Sequence, residues 1–72
     1  MYEIAKRGFW WVLEITENTT NDRFSSYDLI ELLRWQLRDY PGCKRMSYDR
    51  WHFRDYPSGA EHIITLLLLK NA

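Results

Sequence analysis

The chain has 72 residues, with ten Lys/Arg balancing ten Asp/Glu and aromatic side chains making up 17% of the total. That length holds one domain, residues 1–72, and surface scaling leaves it a marginal core, with roughly 60–65% of the unfolded area buried. Zero net charge excludes a bulk field towards nucleic acid or membrane, the single cysteine excludes an internal disulfide, and no apolar run approaches the ~20 residues of a bilayer span.

The lone Cys43 is most simply a reduced thiol, which points to a cytoplasmic protein. The opening MYEIAKRGFWW is interrupted by charge and lacks the apolar stretch of a signal peptide. Cys43, His52 and His62 do not have zinc-ligand spacing, so neither a metal nor another cofactor is expected.

Residues 9–17, FWWVLEITE, are dense in aromatic and β-branched side chains and read as a strand. Phe9, Trp11, Leu13 and Ile15 share one face; Trp10, Val12, Glu14 and Thr16 share the other, wetter one. Residues 2–7 extend this strand backwards, with Gly8 as a bulge or bend. Residues 18–22, NTTND, form a polar loop.

Residues 25–40 carry the clear helix signal. Ser25 is the N-cap and Asp28 stands in the capping-box position, where it also complements the helix dipole. Leu29, Ile30, Leu32, Leu33, Leu37 and Tyr40 form the apolar stripe, and Pro41-Gly42 ends the helix. Residues 45–54 read as one further strand, with Trp51 and Phe53 turned to the helix and Tyr48, Arg50, His52 and Arg54 turned away. A turn at residues 56–59 follows. A short echo runs through this part of the chain: Trp35-Gln-Leu-Arg-Asp-Tyr-Pro41 returns as Trp51-His-Phe-Arg-Asp-Tyr-Pro57.

Residues 62–70, HIITLLLLK, are the most apolar stretch. As a strand they place Ile63, Leu67 and Leu69 on one face and Ile64, Leu66 and Leu68 on the other, and such a strand needs cover on both sides. A helical reading of residues 59–70 competes, because Ser58-Gly-Ala-Glu61 matches a capping box and leucine is a good helix former. The β-branched Ile63-Ile64-Thr65 tips the reading to a strand paired with residues 45–54. The expected fold is α+β, in the order β-α-β-β: a three-stranded, mainly antiparallel sheet with one helix on one face.

That arrangement leaves Trp10, Val12, Ile64, Leu66 and Leu68 on the helix-free face, an apolar patch of the kind that marks a protein interface. The functional expectation is therefore a small non-enzymatic interaction module. It pairs with itself as a homodimer, binds a larger protein, or does both, and acts by regulating or inhibiting that partner. Chains of this size often work so, small viral or phage proteins acting on host machinery among them, an association by size alone. The alternative is a nucleic-acid-binding face built from the basic and aromatic residues 44–54, with Lys44, Tyr48, Arg50, His52 and Arg54 as contacts. A catalytic role for His52 is disfavoured because Asp49 and Asp55 point to the opposite face of an extended strand.

Overall fold

A computed structural model of the chain describes residues 2–16 and 25–70, with side chains through residue 67. The elements run β1 (Tyr2–Arg7), β2 (Trp10–Ile15), α1 (Ser26–Gln36), β3 (Cys43–Ser47), β4 (Arg50–Phe53) and α2 (Ser58–Lys70). The strands form one antiparallel sheet in the order β1-β2-β4-β3. The fold is α+β as expected, but with four strands in place of three and two helices in place of one. The polar loop expected at residues 18–22 lies outside the described residues.

Two expected strands are each a hairpin and the expected C-terminal strand is a helix, so three strands become four. The first hairpin is a tight turn where the sequence suggested a bulge or bend. Arg7 pairs directly with Trp10, so Gly8-Phe9 is a two-residue hairpin loop. Gly8 has φ 62° and no other residue type has a positive φ among the described residues. A positive angle at the first turn residue alone is the type II′ pattern, for which glycine is the fitting residue. Phe9 therefore leaves the strand and stands at the turn, 91% exposed.

Helix α1 begins as its sequence requires. Ser25 accepts from the Asp28 backbone N–H at 3.1 Å, and Asp28 accepts from the Ser25 backbone N–H at 3.1 Å, a closed capping box. The helix ends at Gln36, earlier than the apolar stripe suggests, with Leu37 as C-cap. Tyr40-Pro41-Gly42-Cys43 then turns the chain: the Cys43 N–H donates to the Tyr40 carbonyl at 3.2 Å, and Gly42 has φ 72°. Proline followed by a positive-φ glycine is the type II arrangement.

The single strand expected over residues 45–54 is a hairpin. Ser47 pairs with Arg50, which leaves Tyr48-Asp49 as the turn, and a bulge falls between Arg45 and Ser47. On the far side Leu13 opposes Trp51 and Trp11 opposes Phe53 across β2 and β4. Leu13, Ile15, Trp51 and Phe53 are buried beneath Leu29, Ile30, Leu33 and Leu37 of the α1 segment.

Residues 58–70 are helical, which corrects the strand reading and agrees with its alternative. The stripe that explains it is Ala60, Ile63, Ile64 and Leu67, spaced i, i+3, i+4, i+7. Ala60 and Ile64 are fully buried in the common core, with Ile63 and Leu67 packed against it. Both helices thus cover one face of the sheet. Glu61 does not complete the capping-box match at Ser58. Its carboxylate instead accepts from the Tyr56 hydroxyl at 2.9 Å and the Tyr2 hydroxyl at 3.4 Å. No helix among the described residues is long and apolar enough to cross a membrane.

Two substitutions test this packing. Leu33 is 0% exposed, and Leu33→Ala should cost about 2–5 kcal/mol, read as a lowered denaturation midpoint in urea. A Cβ on Gly59 would lie 2.9 Å from the Tyr40 hydroxyl, and that ring is fixed edge-on to Phe53 at 5.5 Å. Gly59→Ala should therefore destabilise by about 1–3 kcal/mol despite alanine's better helix propensity, and adding Tyr40→Phe should recover most of the loss. A stabilised single variant in the same melts would mean that Tyr40 does not cross the helix there.

Candidate functional site

Two surfaces carry chemistry-bearing side chains, and they lie on opposite sides of the sheet. The first is the outer face of α1. Glu31, Arg34 and Trp35 lie on α1 opposite the buried Leu29 and Leu33, and Arg38 follows in the turn just past its C-cap, Leu37. These four line a depression of about 280 Å³. Trp35 is 71% exposed, with the Arg38 guanidinium 5.4 Å from its ring centre, and Arg34 pairs with Glu31 at 3.7 Å.

The β3–β4 turn extends this surface. Tyr48 packs its ring 6.3 Å from that of Tyr27 on α1, and Arg45 lies 5.8 Å over the Tyr48 ring. Arg45 also donates to the Tyr48 carbonyl at 3.1 Å. Partial desolvation, then the nearby Tyr27 and Glu31, raise the Tyr48 phenol above its ordinary range against the opposing pull of Arg45 and Arg34. The bulge leaves Met46 half exposed beside it. Helix and turn therefore form one continuous aromatic and arginine surface. Sequence reasoning placed Tyr48 on the helix-free face; the turn at Tyr48-Asp49 breaks the alternation and sends it to the helix side. The stripe of Tyr27, Arg34, Trp35 and Arg38 was missed as a site, although its helical spacing opposite the core was readable.

The second surface is the open face of the sheet. Cross-strand register stacks it in rows: Glu3, Glu14 and Arg50 at one end, then Ala5, Val12, His52 and Lys44, then Arg7 and Trp10. Arg54 joins the last row, its N–H donating to the Gly42 carbonyl at 3.0 Å. Arg50 is occupied by the Glu14 carboxylate, to which both its Nε and its terminal nitrogen donate. That hydrogen bond, and then the charge of Glu14, raise the Arg50 guanidinium pKa. Trp10 and His52 are ring neighbours at 6.0 Å.

Of the residues expected on an apolar interface, Trp10 and Val12 do lie on this open face. Ile64 does not: it is fully buried in the core on the helix side, and Leu66 is 52% exposed on α2. The Leu68 side chain lies outside the described residues. The expected patch was built on strand alternation, and a helix distributes the same residues differently. Of the expected polar contacts, Lys44, His52 and Arg54 come together beside Trp10, Arg50 is tied to Glu14, and Tyr48 is elsewhere.

Cys43 pairs with Phe53 and packs against the core, while its neighbour Lys44 faces the other way. Burial pushes its thiol up to about 11. The thiol owes that shift to desolvation. Its alkylation by iodoacetamide should rise with an inflection near pH 11, because the thiolate forms only there, and at pH 8 the native chain should react at least tenfold (order of magnitude) more slowly than the denatured one. Equal rates in both states at pH 8 would show an exposed, ordinary thiol.

Compared with known proteins, the chain matches no family model, no curated protein and no solved structure.

Proposed function

We propose that the chain is a small non-enzymatic interaction module that binds a larger protein through the outer face of α1 and the β3–β4 turn, and so regulates or blocks that partner. The observation that carries this reading is Trp35, an indole left 71% exposed between two arginines on the far side of its helix from the core. Tryptophan, tyrosine and arginine are the side chains that dominate binding energy at protein interfaces. Here Trp35, Tyr27, Tyr48, Arg34 and Arg38 lie together on one surface. The ion pairs of that surface are solvent-exposed and contribute little to folding, so a structural reason for the cluster is weak. Of the homodimer face expected from Trp10, Val12, Ile64, Leu66 and Leu68, Ile64 is buried in the core while Trp10 and Val12 stay on the open sheet face, and a second copy of the chain is one occupant that experiment can detect.

A photo-reactive phenylalanine analogue at position 35, in the cells that express the chain, should give one discrete protein adduct on irradiation. The same group at position 66, on the outer side of α2, should not. Trp35→Ala should weaken binding of the recovered partner by about 30-fold or more, the ~2 kcal/mol of an interface anchor, without moving the thermal midpoint. Matching adduct patterns from both positions would defeat the reading. An adduct of two copies of the chain would assign the surface to self-pairing.

A further inference from the structure

The open sheet face is electrostatically divided, although the chain as a whole is neutral. Both carboxylates that the register places on it, Glu3 and Glu14, are directly opposed at one end, and Glu14 is taken up by Arg50. The other end holds Arg7, Lys44 and Arg54. None of these three makes an ion pair among the described residues, whereas Arg34, Arg38 and Arg50 all do. Between them stand two aromatic rings, Trp10 and His52. Trp10, Gly42, Cys43, Lys44 and Arg54 line a cleft of about 360 Å³, and the Arg54 stem lies 3.7 Å from where a Gly42 Cβ would be.

We propose that this end of the sheet binds single-stranded nucleic acid, with bases stacked on Trp10 and His52 and phosphates held by Arg7, Lys44 and Arg54. Unpaired cations around the two partly exposed rings match a ligand that alternates phosphates with flat, uncharged rings. Arg7 on β1 and Lys44 on β3 are three strand spacings apart, about 14 Å, so the contacts can follow a strand laid across the sheet and not a single point. A duplex hides its base faces in the stack, so the rings favour an unpaired strand. The site is separate from the α1 surface and stands or falls independently of it.

The test is fluorescence anisotropy of a labelled twelve-residue oligothymidylate titrated with the full chain at several salt concentrations. Three phosphate contacts predict a slope of log affinity on log salt of about −2, a loss of about 20-fold between 50 and 200 mM. The double change Lys44→Ala with Arg54→Ala should flatten the slope to about −0.7. Trp10→Ala should lower affinity about equally at every salt concentration, and Trp10→Phe should restore part of it. Lys6→Ala, a cation on the opposite side of β1, should leave the curves unchanged. Circular dichroism of each variant checks the fold, so loss of binding is read only from folded chains. Absence of binding by the folded parent, a slope unmoved by the Lys44 and Arg54 changes, or equal affinity for a duplex would overturn the proposal. So would a photo-crosslinker at position 10 that captures a protein and no oligonucleotide.

Discussion

Leu13 and Trp51 face each other across β2 and β4, and the chain is arranged to keep that pair dry. They are 0% and 1% exposed, at the centre of the sheet. A small domain gains most per residue by burying its largest side chains, so covering Trp51 takes precedence over covering both faces. Both helices are committed to the same side, α1 through Leu29, Ile30 and Leu33, with its C-cap Leu37, and α2 through Ala60 and Ile64. The consequence is an uncovered second face. It can stay in water only because its rows carry Glu3, Arg7, Glu14, Lys44, Arg50 and His52 among the few apolar groups.

Keeping α2 on the core side depends on its first turn. Tyr56 and Tyr2 both donate to the Glu61 carboxylate, and the Tyr40 hydroxyl lies so close to Gly59 that a Cβ there would come within 2.9 Å of it. Tyr56 is also edge-on to Trp11 at 4.9 Å, so the loop before the helix is fixed to the sheet as well. Its bond to Glu61 raises the Tyr56 phenol above its ordinary range. The sequence echo acquires a physical sense here. Its two copies end in Tyr40-Pro41 and Tyr56-Pro57, and both tyrosines reach the start of α2, one from the exit of α1 and one from the exit of β4.

What was legible in the sequence follows from how local each signal is. The α1 start is written in Ser25 and Asp28, three residues apart, and the structure closes that box. The core face of β2 and β4 is written in simple alternation through Leu13, Ile15, Trp51 and Phe53. The C-terminal segment defeated alternation because a continuous apolar run fits both periods, and β-branching at residues 63–65 outweighed the stripe at 60, 63, 64 and 67. Tertiary cover decided it: a helix meets the core with Ala60 and Ile64, while a strand would have exposed one whole face. The two turns were missed for different reasons. Gly8 was visible but was read as a bulge or bend within one strand, and Tyr48-Asp49 carries no glycine or proline to announce it.

Those two turns also decide where the candidate contact residues stand. The first aligns Arg7 with Trp10. The second pairs Lys44 with His52 and removes Tyr48 to the helix side, beside Tyr27. One uniform strand over residues 45–54 would have spread Tyr48, Arg50, His52 and Arg54 along a single face and mixed both sets of side chains. The hairpin separates them. Aromatic and arginine side chains with paired charges lie over α1, and unpaired cations flank Trp10 on the sheet. A neutral chain thereby carries two surfaces of different character, because charge is sorted by where each strand turns and not by total composition.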